Sequence, residues 1–112
     1  TVEGIAAHSG KDPEKGASAV KELVYKLVDL YNFSDTDDDI SFNAGIISGG
    51  VAANGIAAHA EMRGDFRYKS VKSGPKILQA LDEICNGKTY VPRTHTKLLH
   101  PHGEDRGQHG SL

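Results

Sequence analysis

A chain of 112 residues, 38% hydrophobic and 25% charged, has room for one domain with a real core and not for two. Its formal net charge of −2, with no basic stripe and no interleaved aromatic platform, argues against a nucleic-acid partner. No apolar run approaches bilayer-spanning length and no signal-peptide pattern opens the chain, so a membrane partner is not expected either.

In chain order, Thr1 to Ala7 is short, apolar and closed by Gly10, the pattern of a strand leading to His8. Asp12-Pro13-Glu14 then reads as a helix start, with Asp12 as N-cap, Pro at the first helical position and an acid in the positive first turn. Ala17, Val20, Leu23, Val24, Leu27, Leu30 and Tyr31 recur at three and four and predict one buried stripe. Lys21, Glu22, Lys26 and Asp29 are assigned to the other faces. Gly16 is costly in a first helical turn, by about 1 kcal/mol against Ala, which suggests a close approach of backbone there.

Ser34 to Asp39 is acidic and predicts a solvated loop. It is not an EF-hand, since Gly at the sixth position and Glu at the twelfth are both missing and Ile46 stands at the latter. Ile40, Phe42, Ala44 and Ile46 alternate with Ser41, Asn43 and Gly45, the period of a strand with one covered face. Gly49-Gly50 breaks that run. A second strand is predicted over 55–68, with Gly64 as a candidate bulge.

Ser73-Gly74-Pro75 opens a second helix whose stripe is Ile77, Leu78, Leu81, Ile84 and Cys85, and Asn86-Gly87 would close it with a left-handed cap. Thr89 to Thr96 is a candidate last strand, confined by Pro92 to an edge or a bulge. The order strand, helix, strand, strand, helix, strand predicts an α+β fold: a ferredoxin-like two-layer sandwich, β-α-β-β-α-β, with two helices on one face of a four-stranded antiparallel sheet. Cys85 is then a small core residue, not a nucleophile; it is the sole cysteine, closes no internal disulfide and fits a reducing, cytoplasmic setting.

The domain is assigned to residues 1–96 and the polar, Gly-rich stretch 97–112 to a disordered or non-native tail. Four of the six histidines lie from His95 onward. His100-Pro101-His102 lacks the spacing that places two imidazoles on one side of a helix, and no thiolate joins them, so no metal ligand is assigned.

Several short motifs stand in a telling order: Ala6-Ala7-His8-Ser9-Gly10, then Gly49-Gly50, then Asn54, then Asp65-Phe66-Arg67 thirteen residues after that Asn. In this order and spacing the chain, from residue 1 to about 92, resembles the lid or dimerisation domain of the M20 family of zinc metallopeptidases and amidohydrolases. The resemblance implies a parent enzyme with two zinc ions in a separate catalytic domain, hydrolysing an amide bond beside a free carboxylate. No such catalytic domain is present, and the chain begins in strand-like sequence without Met, so the expectation is an enzyme segment, inactive alone and holding no cofactor.

The same resemblance assigns roles to three residues. His8 matches a histidine that stabilises the oxyanion of the tetrahedral intermediate in the partner subunit's active site, a task suited to a donor held on a rigid strand end. Asn54 and Arg67 match groups that bind the substrate carboxylate, Arg through its fork and Asn through its amide. The bland alternatives are a capping histidine near a helix start, a turn Asn tolerant of left-handed backbone, and an Arg paired with Asp65. Gly49 and Gly50 are read as structural.

Departures from the family pattern are Ala57 where many members have Pro, Gly55 where a β-branched residue is commoner, and a tail unlike the usual return to the catalytic domain. His59 is read as a packed or hydrogen-bonded strand histidine. Expected partners are a second copy of the chain, the catalytic domain of the parent, and a small carboxylate-bearing peptide or N-acyl amino acid. The competing readings are a free-standing ferredoxin-like module that binds a small anion through Arg67 and Asn54, and a purely structural oligomerisation domain.

Overall fold

The structure, a computed structural model, describes residues 1–99. Strands β1 (Val2–Glu3) and β2 (Ala7–His8) are followed by a single 3-10 turn over Pro13–Lys15 and helix α1 (Ala19–Asp35). Then come β3 (Ile40–Gly49), β4 (Gly55–Ile56), β5 (His59–Tyr68), helix α2 (Ser73–Asn86) and β6 (His95–Thr96). The main sheet is antiparallel in the order β3-β5-β1-β6, and β2 pairs with β4 in a small separate ribbon. Both helices pack on one face, so the α+β two-layer sandwich expected from the pattern is the fold observed. Its core joins Val2, Leu23, Leu27, Leu30, Ile40, Phe42, Ala60, Phe66, Ile77 and Leu81.

Several expected elements are shorter than the pattern suggested. The first strand breaks after Glu3, because Gly4 donates to the Ala58 carbonyl and Ile5 bridges to Ala17 instead. The strand over 55–68 breaks likewise at Ala57-Ala58, where the Ala57 carbonyl accepts the amide of Ala19. The stretch 89–96 contributes only His95–Thr96, since the residues before it turn, with Arg93 at φ 69.

Asp12 caps nothing with its side chain; the Asp12-Pro13 signal starts only the 3-10 turn. The true cap of α1 is Ser18, whose hydroxyl accepts from the Lys21 amide at 3.1 Å. Gly16 therefore lies outside α1, and its expected close approach is real: a Cβ there would sit 2.7 Å from the Ile56 side chain and 2.9 Å from Ala7. Gly87 closes α2 in right-handed conformation rather than the left-handed one expected.

The inner face of α1 is the main correction. Leu23, Leu27 and Leu30 are buried as expected, but Val20, Val24 and Tyr31 are exposed while Glu22 and Lys26 are buried. Lys26 donates to Glu22 and to Thr96, and Glu22 also accepts the amides of Tyr90 (2.8 Å) and Val91 (2.6 Å). These bonds fasten the segment after α2 onto α1, so the two charges replace apolar residues on the buried face. On α2, Leu78 is exposed and Ala80 takes a buried place. The bulge falls at Gly45 in β3, opposite Gly64, where the pairing steps from Ala44↔Gly64 to Ile46↔Arg63.

Candidate functional site

His8 ends β2, opposite Gly55 of β4, so the small ribbon places the Ala-His-small-Gly motif beside the turn that carries Asn54. The chain is tied there twice: the amide and the hydroxyl of Ser9 both donate to the Asn54 carbonyl, at 3.0 and 2.9 Å. The His8 ring is oriented by backbone. Its Nδ1 accepts from the amides of Gly10 at 3.0 Å and Lys11 at 3.2 Å. Two donors aimed at Nδ1 select the tautomer with hydrogen on Nε2, and the exposed ring presents that N–H to solvent.

Asn54 sits in a turn closed by Gly55 donating to the Ala52 carbonyl at 3.1 Å. Its backbone is not left-handed; the positive φ in this loop belongs to Gly50, at 79°. Gly49 and Gly50 are structural as read: a Cβ on Gly49 would lie 2.9 Å from the His59 carbonyl, and Gly50 supplies the turn that ordinary side chains resist. The Asn54 side chain is exposed, so its amide is open to a ligand.

Arg67 lies elsewhere. It stands near the C-terminal end of β5, opposite Ser41, whereas β4 and the His8–Asn54 pair adjoin the N-terminal end at His59. Eight strand steps lead from His59 to Arg67, about 27 Å at the usual rise. The Arg67 side chain is 65% exposed and its Nε donates to Asp65 at 3.1 Å. The structure thus brings His8 and Asn54 together and leaves Arg67 at the opposite end of the sheet.

His59 is a hydrogen-bonded strand residue, its Nδ1 2.6 Å from Glu3 Oε1 on the open face of the sheet. Asp39, inside the acidic loop, gathers the amides of Lys69 (3.2 Å) and Ser70 (2.9 Å) and the hydroxyl of Ser73 (2.6 Å). The Ser73 hydroxyl, then the Ser70 amide, holds the Asp39 carboxyl below its ordinary range. This carboxylate joins the start of β3 to the start of α2. Burial pushes the Cys85 thiol up, which makes it a poor nucleophile at neutral pH.

Among the described residues, no three His, Cys, Asp or Glu side chains are placed to hold a metal ion, and no helix is long and apolar enough to cross a membrane. His100 and His102 lie outside the described residues. The Glu22–Lys26 pair is the polar feature that sequence reasoning missed. Its signal was their i, i+4 spacing directly beside Leu23 and Leu27.

In this two-layer sandwich His8 and Asn54 share one corner and Arg67 stands at the far end of the main sheet. The chain belongs to the peptidase dimerisation domain family (M20_dimer), whose profile matches residues 1–91. It is similar to a tripeptidase from Staphylococcus aureus subsp. aureus Mu50, with 20% identity, a TM-score of 0.63, and coverage of 74% of this chain and 22% of that one. It is also similar to aminopeptidase PepT from Bacillus cereus ATCC 10987, at 19% identity and TM-score 0.55, over 90% of this chain and 30% of that one. These likenesses bear on the fold, and the chain spans less than a third of either structure. No curated protein matches it.

Proposed function

We propose that the chain is the dimerisation and lid domain of a zinc-dependent M20-type exopeptidase or amidohydrolase, cytoplasmic, acting on amide bonds beside a free carboxylate and hydrolysing nothing on its own. The zinc ions belong in this reading to a catalytic domain, because the described residues of this chain offer no ligand set. His8 contributes a fixed Nε2–H donor for developing negative charge, and Asn54 and Arg67 contribute carboxylate donors.

One observation carries the dimer. A small substrate cannot touch Asn54 and Arg67 of one chain when about 27 Å of strand lies between their ends. Pairing the free edges of β3 from two copies antiparallel about a two-fold axis resolves this. It sets the Arg67 end of one copy beside the His8–Asn54 end of the other, about three strand spacings of 4.8 Å apart.

The surface suits such pairing. β3 is an outer edge of the sheet, and Ile46 and Ile47 on it are more than half exposed. Val20, Val24, Val28 and Tyr31 form a second exposed row along α1, and the Tyr31 hydroxyl accepts the Ala44 amide, so the helix row adjoins that edge. An apolar patch of this kind beside an open strand edge is an association surface.

Light scattering over a concentration series tests the reading. A concentration-dependent dimer that Val24→Glu weakens is the expected result. A strict monomer at millimolar concentration would remove the dimer and, with it, the shared site.

A further inference from the structure

Arg93 is the one non-glycine residue with positive φ among the described residues, at 69°. Left-handed backbone suits Gly or Asn and opposes an arginine, so the turn itself gives no reason for this residue type. The conformation is imposed from both sides. Before it, the Tyr90 and Val91 amides donate to Glu22 at 2.8 and 2.6 Å. After it, the Thr94 amide and hydroxyl both donate to the Val91 carbonyl, at 3.3 and 2.8 Å. A strained residue that its surroundings hold in place points to a task for its side chain.

That side chain reaches back to the loop after β2. One guanidinium nitrogen, Nη2, donates to two carbonyls, those of Glu14 at 3.0 Å and Gly16 at 2.9 Å. The planar fork fixes the angle between its two N–H groups, and so fixes the spacing of the two carbonyls it holds. They belong to the 3-10 turn Pro13–Lys15 and to Gly16, which caps it. The same turn closes the loop that starts at His8: the Asp12 amide donates to the His8 carbonyl, and the Lys15 amide to the Asp12 carbonyl, both at 3.0 Å. Gly16 also lies against both strands of the ribbon, since its absent Cβ would stand 2.7 Å from Ile56 of β4 and 2.9 Å from Ala7 of β2. Arg93 thus grips the His8 loop where it closes on the ribbon.

We propose that Arg93 is a positioning residue for His8: its guanidinium clamps the turn over 13–16, and the clamped turn keeps the Gly10 and Lys11 amides on His8 Nδ1. The inference rests on the reading of His8 as a directed Nε2–H donor. With the clamp gone, the exposed loop over 9–12 moves against the ribbon and the two amides leave Nδ1. The ring proton then divides between both nitrogens, and the direction of the donor is lost while the fold persists.

Arg93→Gly separates the two properties of the residue, because glycine removes the clamp and relieves the backbone. Long-range 1H–15N spectra of the full chain at about pH 8, where histidines are ordinarily neutral, report the His8 ring. A single Nε2–H tautomer gives two widely separated ring nitrogens, which is the wild-type result expected. In Arg93→Gly the two resonances should converge, and exchange of the Gly10 and Lys11 amides should rise about tenfold, while the thermal midpoint holds or rises. Arg93→Asn, which also tolerates left-handed backbone, should reproduce the changes at His8. Unmoved His8 resonances in either folded variant overturn the proposal, as do mixed tautomers already present in the wild type. A lower midpoint with exchange raised throughout the chain in both variants also overturns it, since Arg93 would then hold the fold and not His8. A strict monomer in light scattering strikes the dimer and leaves this result standing, so the two readings fail separately.

Discussion

The two long faces of α1 invert the usual distribution of residue types. The inner face buries Glu22 and Lys26 between turns of leucine, and the outer face leaves Val20, Val24 and Val28 open to solvent. What decides the inner face is partnership. Glu22 has three donors and Lys26 two acceptors, and among the described residues no buried side-chain N or O atom lacks a hydrogen bond. On the outer face the valines are exposed among the described residues, and in the proposed dimer a second copy covers them. A helix with two apolar rows is read correctly only when the partners of both rows are known.

The largest effect that can break this contrast comes from removing one member of the buried pair. Glu22→Ala leaves the Lys26 ammonium without its counter-ion and strips the Tyr90 and Val91 amides of their acceptor. Loss of one partner of a buried ion pair costs about 3–5 kcal/mol, and urea denaturation is expected to show a loss in that range. A loss below about 1 kcal/mol, the scale of surface pairs, would mean that water reaches the pair and that the inner face is not sealed. The double replacement Glu22→Leu with Lys26→Met is expected to recover most of the stability, because the desolvation penalty disappears with the charges.

The outer face gives the next effect. Val24→Glu places a charge in the exposed apolar row, and the dimer dissociation constant should rise at least tenfold, or about 1.4 kcal/mol. The stability of the monomer should change by less than about 0.5 kcal/mol, as is usual at exposed positions. Sedimentation equilibrium and denaturation of the same sample check the two halves of this expectation. If monomer stability falls with dimer affinity, Val24 belongs to the core after all.

Much of this was legible in the sequence, and what was not has physical causes. The layer order follows from periodicity: the alternation of Ile40, Phe42 and Ala44, and the three-and-four spacing of Leu23, Leu27 and Leu30, each survive in the structure. Which row of α1 turns inward is set by groups far along the chain, namely the amides of Tyr90 and Val91 and the hydroxyl of Thr96, and local spacing carries no record of them. Helix start signals were similarly local: Asp12-Pro13 starts a turn, and Ser18 wins the cap because Ala17 and Ile5 exchange backbone hydrogen bonds just before it. His8 and Asn54 are singled out by motif order alone, and the ribbon of β2 with β4 places their backbones side by side. That Arg67 is remote from both follows from counting strand residues, once the strand is known to run straight to Tyr68.

A smaller effect probes the loop beside the site. Gly50 at φ 79 is replaced by Ala at a cost of about 1–2 kcal/mol, the penalty of a Cβ in left-handed backbone. The cost should appear in thermal denaturation, with hydrogen exchange accelerated locally at the Gly50 amide that bonds the His59 carbonyl. Replacement of exposed Gly10 by Ala is the matched control, since a Cβ there meets only the edge of the His8 ring at 3.4 Å.

The smallest effect concerns Asp39, which ties the start of β3 to the start of α2 on the side of the domain away from His8. Its folded carboxyl lies below the ordinary value of 3.8 because the Ser73 hydroxyl and the Ser70 amide favour the anion. A depressed folded value means that the unfolded chain takes up the proton first as pH falls. The stabilisation is therefore complete above the unfolded value and is lost as pH drops through the lower, folded one. Denaturation midpoints of the wild type and Asp39→Asn should differ by a constant amount from pH 7 to about 5 and converge below about pH 3.8. A difference that is the same at every pH, with no narrowing in acid, would show that Asp39 acts through shape and not through its charge. In that case the link between β3 and α2 rests on the neutral contacts of Ser70 and Ser73.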